Sequence, residues 1–446
     1  MSKKIEASFM CLVLTHMCFA STRRNSRQTV ADFAVAGSVA QTVTSPESCL
    51  SKMDQLSERV DRDARESNRE VDFKGLQRQR AEIANKCVAA FSVNAVAAEH
   101  LSALAKLYFE AERQSEANKA ISRYLKSPGA TKADKVEILR MAIDYSLSPA
   151  PAADTSALAE KYLAQLDQLN PFAIHDRMSA RLPFVGHYLS NRDDAKALQY
   201  ETEIANLSKA LPADAQKVAL EEAIRTIDFQ ALFACNELGA ARARAIVEQT
   251  SPELIRLAHA EEWVGMILSR YRMEGQEAPQ LFPRNVLNAP YSEGLSKPQK
   301  GQVTVMLFAA YWCGPCHAIY PQVVDIYRRF QDNGVGALLV TQLSNPANDP
   351  KAPNPEKELA TIQKFYVDEV KMPFPIVIEG PGDGKSSSYT NIDQQKKNRQ
   401  WRLFGFYPMM LIIDKKGRTR AILIGALPGQ GERLRSKIEE LLREPA

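Results

Sequence analysis

The sequence predicts two parts of different fold class: an all-α, repeat-like N-terminal region and a C-terminal α/β domain with a mixed sheet flanked by helices. Three observations predict this multidomain arrangement. Residues 45–271 have a helical hydrophobic period in almost every window. Residues 272–300 contain several prolines and little periodicity, which is typical of a linker, and we expect this range to include the start of the C-terminal domain. Residues 301–446 alternate short apolar runs with amphipathic segments, as strands and helices do.

Composition and charge place the chain among ordinary globular proteins. It has 446 residues, of which 45% are hydrophobic and 25% charged, and this length exceeds that of one ordinary core. The net charge of +4 is small for the length, and no basic stripe with interleaved aromatic residues is present. We therefore expect no nucleic-acid partner.

The first 44 residues have the order of a secretory leader. Lys3 and Lys4 precede an apolar stretch over residues 7–20. The triplets 18–20 and 38–40 are both candidate cleavage sites, so the cleavage point stays open. This order favours export to a periplasmic or other extracytoplasmic compartment. A cytoplasmic protein with an unstructured tail is the alternative.

The clearest helical signal is a pair of antiparallel helices. Apolar side chains recur at i, i+3, i+4 and i+7 in two sets separated by a polar break: Leu101, Leu104, Ala105 and Tyr108, then Ala117, Ala120, Ile121, Tyr124 and Leu125. The pair Tyr162-Leu163 repeats Tyr124-Leu125 after 38 residues. Helix pairs at this spacing loosely resemble tetratricopeptide repeats, and a plain helical bundle is the alternative. Either scaffold would offer a surface to a protein partner.

The C-terminal segments predict strands and helices in a defined order. An apolar run at 303–309 is suited to a strand buried on both faces. The elements that follow are a helix at 313–330, a strand at 335–340, a helix at 356–370, a short apolar stretch at 375–378, strands at 409–413 and 419–424 joined by the turn 414–417, and a helix at 431–443.

The sequence contains seven cysteines: Cys11, Cys18, Cys49, Cys87, Cys235, Cys313 and Cys316. The last two form a Cys-x-x-Cys pair. Cys49 and Cys87 are a candidate structural disulfide, and two buried free thiols are the alternative, because sequence cannot place their Cα atoms within bonding range. Cys235 lies in an apolar run and is interpreted as a core residue.

Cys313 and Cys316 are the candidate catalytic residues. Cys313 follows the buried strand and opens a helix, where free backbone N–H groups lower the pKa of a thiol and so favour the nucleophilic thiolate. Cys316 lies one helical turn later, where its thiol would attack a mixed disulfide. Gly314 and Pro315 form a stiff spacer suited to a first helical turn. Trp312 would shield the sulfurs on one side.

These residues resemble the thioredoxin superfamily and, more narrowly, exported TlpA-like thiol–disulfide oxidoreductases. The resemblance covers about residues 278–446 and rests on four motifs: Trp312-Cys313-Gly314-Pro315-Cys316, Ala278-Pro279-Gln280-Leu281-Phe282, Phe404-Gly405-Phe406-Tyr407-Pro408, and Leu411-Ile412-Ile413-Asp414-Lys415-Lys416-Gly417. It implies exchange with protein thiols and disulfides through the Cys313–Cys316 disulfide, with no other cofactor. It also implies that Pro408 follows a cis bond after Tyr407 and lies against the cysteines. The upstream electron donor is not indicated.

Two positions depart from the pattern of this family. Leu307 and Ile319 stand where such proteins carry acids that help to deprotonate the second cysteine. His317 or water is then the candidate proton acceptor for Cys316. The Gly-Pro spacer is that of reducing members, so a reductase is favoured, although the direction of electron flow stays open.

Other interpretations compete with this one. The segment Cys313–His317 also satisfies the C-x-x-C-H pattern of c-type haem attachment, with Met409 or Met410 as a distal ligand, although the preceding buried strand and Trp312 argue against it. No metal site is predicted, since the histidines are scattered.

A helical interaction protein whose C-terminal domain serves as a binding platform is the alternative function. A peroxidase is disfavoured because Ala310 stands where a threonine is usual. The segment 344–354 follows a strand at the predicted active edge, and 380–400 is a long polar insertion before Pro408. A role of either in substrate choice is one interpretation, and an ordinary surface loop is the alternative.

Overall fold

The chain divides into two compact units, Met1–Pro212 and Ala213–Ala446. The computed structural model describes residues 45–66, 72–147, 155–169, 174–281, 283–289, 295, 298–343, 354–379, 408–427 and 429–445. The predicted leader, residues 1–44, lies outside these ranges, and so do most of the two predicted insertions. Within the described residues, no helix combines the length and apolar character needed to cross a membrane.

The described part of the first unit is helical. Its α-helices are α1 (Pro46–Glu66), α2 (Phe73–Val88), α3 (Leu101–Glu110), α4 (Gln114–Leu125), α5 (Lys132–Leu147), α6 (Ser156–Gln168), α7 (Ile174–Ser179), α8 (Leu182–Ser190) and α9 (Asp194–Ser208). Helices α3 and α4 coincide with the predicted pair, and the predicted apolar stripe of α3 is buried. Consecutive helices pack together as α3 with α4, α5 with α6, and α8 with α9.

The same turn closes two of these helix pairs. Glu112 between α3 and α4 and Arg192 between α8 and α9 both adopt left-handed backbone, with φ of 58° and 62°. In each turn the next amide donates to the carbonyl five residues earlier, at 2.7 and 2.9 Å respectively. Such left-handed closure satisfies the free carbonyls at a helix end. This recurrence is compatible with a helical repeat, which stays a prediction.

A disulfide joins α1 to α2. The Cα atoms of Cys49 and Cys87 are 6.3 Å apart, within the range of a disulfide, and both side chains are buried. Of the two interpretations left open by the sequence, the structure has the bonded pair. Closing a loop with a sequence separation of 38 residues stabilises the unit by about 4 kcal/mol in the chain-entropy model.

The second unit contains a six-stranded mixed sheet in the order β1-β4-β3-β2-β5-β6. Its elements are helices α10 (Ala213–Leu238), α11 (Ala240–Glu248), α12 (Pro252–Leu257) and α13 (Glu261–Tyr271), strands β1 (Pro283–Leu287) and β2 (Val303–Phe308), helix α14 (Gly314–Phe330), strand β3 (Val335–Gln342), helix α15 (Pro355–Gln363), strands β4 (Ile376–Glu379), β5 (Met409–Ile413) and β6 (Thr419–Ile424), and helix α16 (Gln430–Arg443). Strands β2, β3 and β4 are mutually parallel, and β1, β5 and β6 are antiparallel to their neighbours.

Strand β2 is central and buried on both faces, as its continuous apolar run predicts. Its odd-numbered residues pack in the core that includes α14 and α16, and its even-numbered residues are also buried. The predicted turn between β5 and β6 is present. Gly417 has φ of +82°, and the Asp414 carboxylate accepts the backbone N–H groups of Lys416 and Arg418 at 2.9 Å each.

Helix α10 belongs to the second compact unit, whereas the sequence groups it with the helices of residues 45–271. Asn236 of α10 pairs with the edge strand β6: its Oδ1 accepts the amide of Ile424 and its Nδ2 donates to the carbonyl of Ile424, both at 3.0 Å. The Cys235 thiol donates to the carbonyl of Ile422 at 3.3 Å. Side chains of α10 thus bond backbone groups of the edge strand β6 that a further strand would otherwise pair. Helical periodicity cannot reveal such a contact.

Residues 272–300, expected to be a linker and the start of the C-terminal domain, contain strand β1, which adds an antiparallel edge to β4. One expectation differs from the structure. The predicted helix 356–370 is α15 followed by a π-helical turn, Lys364–Glu369. The remaining elements of this unit match their predicted positions within about two residues.

Candidate active site

Cys313 and Cys316 form a disulfide at the start of α14, with a Cα–Cα distance of 5.3 Å. Cys313 is the N-cap residue of this helix, and its Sγ accepts the backbone N–H of Cys316 at 3.2 Å. Pro315 lies in the first turn, where the missing amide costs no helical hydrogen bond. A thiolate at Cys313 would therefore be stabilised by a free helix N-terminus, which lowers the pKa of a cysteine thiol.

The two sulfurs differ in exposure. Cys313 is 6% exposed, Cys316 is completely buried, and Gly314 and Pro315 are exposed beside them. Trp312 is 61% exposed, so it presents an aromatic surface next to the disulfide. Cys313 is therefore the more exposed of the two cysteines, whereas Cys316 is completely enclosed.

Side-chain contacts fix the turn that carries Cys313. The carbonyl of Ala310 accepts the amide of Cys313 at 3.1 Å and the hydroxyl of Tyr320 at 3.4 Å. The Tyr320 hydroxyl also lies 3.1 Å from that of Tyr366, and burial raises the pKa of Tyr320 above its ordinary value of 10.0. Tyr320 is therefore a neutral hydrogen-bonding group and not a base.

His317 is exposed and belongs to the same turn. Its Nε2 lies 2.9 Å from the carbonyl oxygen of Tyr311, which can only accept, so Nε2 carries the proton. In the neutral ring Nδ1 is then the basic atom. The imidazole lies 4.9 Å from the ring of Phe365 and 5.9 Å from that of Tyr320. The structure thus places His317 one residue from Cys316 but on the exposed side of the helix.

Leu307 and Ile319, which stand where members of the resembled family carry acids, are fully buried in the apolar core. Pro408 is also buried, and its carbonyl accepts the amide of Gly425 at 2.7 Å. Met409, the first residue of β5, pairs with Phe308, the last residue of β2. Pro408 therefore lies at the end of the sheet where the chain leaves β2 and continues to Cys313. Tyr407 and its peptide bond lie outside the described residues.

A buried carboxyl group near this turn was missed by the sequence analysis. Glu358 on α15 is 1% exposed, and its Oε1 lies 3.4 Å from the hydroxyl of Tyr311. Burial, together with the charge of Glu358, raises the pKa of the Tyr311 phenol. In the sequence Glu358 resembles any polar residue on an amphipathic helix, and only the tertiary fold brings it to the Cys-x-x-Cys turn.

The haem interpretation would use Cys313, Cys316 and a distal methionine. Haem attachment needs both sulfurs as thioethers, and here they are bonded to each other. Met409 and Met410, the imagined distal ligands, are fully buried within β5. Across the described part of the chain, no cluster of three or more His, Cys, Asp or Glu residues is suited to hold a metal ion.

Part of the chain is similar in sequence to a curated thiol–disulfide oxidoreductase. The sporulation thiol-disulfide oxidoreductase A of Bacillus subtilis is 24% identical over 148 residues, which are 33% of this chain and 73% of that protein. The resemblance to thioredoxin-like thiol–disulfide oxidoreductases is therefore confirmed over about a third of the chain. No family model matches the sequence.

Solved structures with this likeness cover a similar share of the chain. A putative thiol:disulfide interchange protein DsbE from Chlorobium tepidum is 20% identical, with a TM-score of 0.26, over 38% of this chain and 97% of that one. StoA from Bacillus subtilis is 23% identical, with a TM-score of 0.22, over 31% and 84%. A secreted disulfide oxidoreductase from Mycobacterium tuberculosis is 14% identical, with a TM-score of 0.24, over 34% and 90%.

Proposed function

We propose that this protein is a thiol–disulfide oxidoreductase that acts on partner proteins through Cys313 and Cys316. The observation that carries the proposal is the disulfide at the N-terminus of α14, in which Cys313 is 6% exposed and Cys316 is completely buried. The relatives named above are oxidoreductases of this kind, which supports a redox role at the level of the family. The substrates would be protein thiols or disulfides.

In the reducing direction, the Cys313 thiolate attacks one sulfur of a substrate disulfide. The substrate S–S bond breaks, a mixed disulfide with Cys313 forms, and the released substrate thiolate takes up a proton. The Cys316 thiolate then attacks Sγ of Cys313 and releases the second substrate sulfur. Two electrons pass from the dithiol to the substrate, and the Cys313–Cys316 disulfide observed here is the product. A dithiol donor must reduce it for the next cycle.

The second step requires a proton to leave Cys316, which is completely buried. Leu307 and Ile319 cannot accept it, because both side chains are apolar. We propose His317 as the acceptor, acting through Nδ1, because its Nε2–H is already donated to the carbonyl of Tyr311. Replacing His317 by glutamine would keep a hydrogen-bonding side chain but remove the base. The variant should accumulate the mixed disulfide and release substrate more slowly.

We propose that the protein is exported and acts as a reductase. The buried Cys49–Cys87 disulfide supports an oxidising compartment, because structural disulfides persist there. The Gly-Pro spacer between Cys313 and Cys316 supports the reducing direction. The reduction potential of the pair is the decisive quantity, and a value near that of strong oxidants, about −120 mV, would reject the reductase assignment.

The test is turnover of a disulfide-bonded protein substrate by the full chain with a dithiol reductant. Wild type should reduce insulin faster than the reductant alone, and Cys313→Ser should lose this activity completely. Cys235→Ser provides the matched control, since that thiol is buried against β6 and should not be needed for turnover. Equal rates for wild type and Cys313→Ser would contradict the proposed function.

The competing proposal is that the C-terminal domain is a binding platform. The apolar residues at positions 307 and 319 favour it, because an active dithiol usually has a base nearby. The two proposals differ in what Cys313→Ser should do in the native cell. Retention of full biological activity by this variant would support the platform, and loss of activity would support catalysis.

A further inference from the structure

One segment of the second unit makes three separate contacts with the redox-active turn. The segment consists of α15 and the π-helical turn that follows it, residues 355–369, and is called here the 355–369 segment. Short π-helical stretches in longer helices are found frequently at functional sites. The contacts involve Glu358, Phe365 and Tyr366, and the three partner side chains lie within residues 311–320.

The first contact joins Glu358 to Tyr311, two residues before Cys313. The carboxylate is 1% exposed, and the Tyr311 hydroxyl is directed to it at 3.4 Å. A buried carboxyl group is retained in a core only when hydrogen-bond donors satisfy it. The backbone carbonyl of Tyr311 accepts from His317 at 2.9 Å, so this residue is held at both its side chain and its main chain.

The second contact joins Tyr366 to Tyr320. Tyr320 donates its hydroxyl proton to the carbonyl of Ala310, so the Tyr366 hydroxyl is the donor to Tyr320 across 3.1 Å. The result is a buried chain of hydrogen bonds from Tyr366 through Tyr320 to Ala310. The same carbonyl of Ala310 accepts the amide of Cys313 at 3.1 Å. The position of Cys313 at the N-cap is therefore coupled to Tyr366.

The third contact joins Phe365 to His317, with ring centroids 4.9 Å apart and planes tilted by 30°. It lies on the exposed side of the turn, whereas the Glu358–Tyr311 contact is partly buried and the Tyr320–Tyr366 contact is buried. The 355–369 segment thus holds the turn from the surface to the core. A helix that packed only to complete the core would not need a carboxylate and a phenol at this place.

We propose that the 355–369 segment positions the redox-active turn, with Glu358 and Tyr366 as positioning residues that act through Tyr311 and Tyr320. The inference deepens the proposed function and rests on it. Positioning here means that the turn holds Cys313 where the N–H of Cys316 reaches its sulfur, at 3.2 Å. Loosening the turn weakens this stabilisation of the thiolate. Charge stabilisation at a helix N-terminus corresponds to about a two- to fivefold change in an acid constant.

The test measures the rate at which iodoacetamide alkylates Cys313 in the reduced full chain, as a function of pH. The variants Tyr311→Phe and Tyr366→Phe remove one hydroxyl each and keep the rings. Each should lower the rate at neutral pH by about two- to fivefold and move the pH profile to higher pH. Glu358→Gln keeps an oxygen acceptor for Tyr311 and should retain the wild-type profile.

Matched controls separate positioning from general packing. Tyr327→Phe removes a hydroxyl from the same helix α14, where the ring packs edge-on against Phe374 at 5.1 Å. Glu356→Gln removes a charge from the exposed side of α15. Neither control should move the profile. If Tyr311→Phe and Tyr366→Phe also leave it unmoved, the segment serves only the core and the inference is wrong.

A direct effect of the negative charge of Glu358 on the alkylation rate of Cys313 is the alternative explanation, and the same experiment tests it. If the negative charge alone mattered, Glu358→Gln would raise the alkylation rate and Tyr311→Phe would have no effect, and this pattern would overturn the proposal. Insulin turnover by the same wild-type sample tests the proposed function separately. An inactive wild type with the expected shifts in alkylation would reject the function, whereas an active one without those shifts would reject the positioning role.

Discussion

Asn236 is predicted to stabilise the second unit because it satisfies both backbone groups of Ile424 on the edge strand β6. Its Oδ1 also accepts from Gln430 at 3.1 Å, and the side chain is 7% exposed. In Asn236→Ala the buried N–H and C=O of Ile424 lose their partners. Each unsatisfied buried group costs about 1–3 kcal/mol, so the free energy of unfolding should fall by about 2–6 kcal/mol. That is a large share of the stability of a typical domain.

The assay is guanidinium denaturation followed by tryptophan fluorescence. All three tryptophans, Trp263, Trp312 and Trp401, belong to the second unit, so this signal reports on the unit that contains Asn236. The control is Asn206→Ala, which removes an exposed amide from α9 in the first unit. The midpoint should fall with an unchanged slope. A loss below about 0.5 kcal/mol, the size usual for surface substitutions, would refute this account of the edge strand.

Three further predictions concern the disulfide, pH and the domain boundary. Cys49→Ser combined with Cys87→Ser should destabilise the first unit by about 4 kcal/mol, which far-UV circular dichroism during denaturation would measure; unchanged stability would contradict the role of this bond. Burial acts to raise the pKa of Asp414, but hydrogen bonds, led by the Arg418 amide, hold it below its ordinary value of 3.8. The Asp414 carboxylate therefore stabilises the fold above pH 3.8, and this contribution is lost as the pH falls through its lowered pKa. In Asp414→Asn the free energy of unfolding, measured against pH, should fall less steeply in acid than in wild type. An equally steep fall would contradict this prediction. A chain that begins at residue 272 lacks α10, so the edge of β6 is uncovered and the chain should aggregate in size-exclusion chromatography. A chain that begins at α10 should remain monodisperse. Equal behaviour of the two chains would reject a domain boundary before α10.

Local patterns in the sequence were sufficient to predict much of the second unit. Strands β2, β5 and β6 and helix α14 follow from apolar runs and from the Asp414–Gly417 turn, because these signals are short-range. The N-cap position of Cys313 also follows from its place between a strand and a helix. The position of the Cys-x-x-Cys pair at the start of α14 was therefore predictable from sequence order alone.

Contacts between distant segments were not predictable in this way. Asn236 and Ile424 are 188 residues apart, and the role of α10 at the edge of the sheet depends on that pairing. Glu358 and Tyr311 are 47 residues apart, and nothing in the helical period of α15 distinguishes a buried carboxylate from an exposed one. Strand β1 is short and lies among prolines, where its signal resembles that of a linker.

The central claim is that Cys313 is the nucleophile and Cys316 the resolving cysteine. The most direct measurement is the intact mass of reduced Cys316→Ser after reaction with a disulfide-bonded protein, followed by peptide mapping of the adduct. We predict a stable mixed disulfide on Cys313, released by added thiol, and no adduct with Cys313→Ser. An adduct on Cys235, or none on Cys313, would contradict the account.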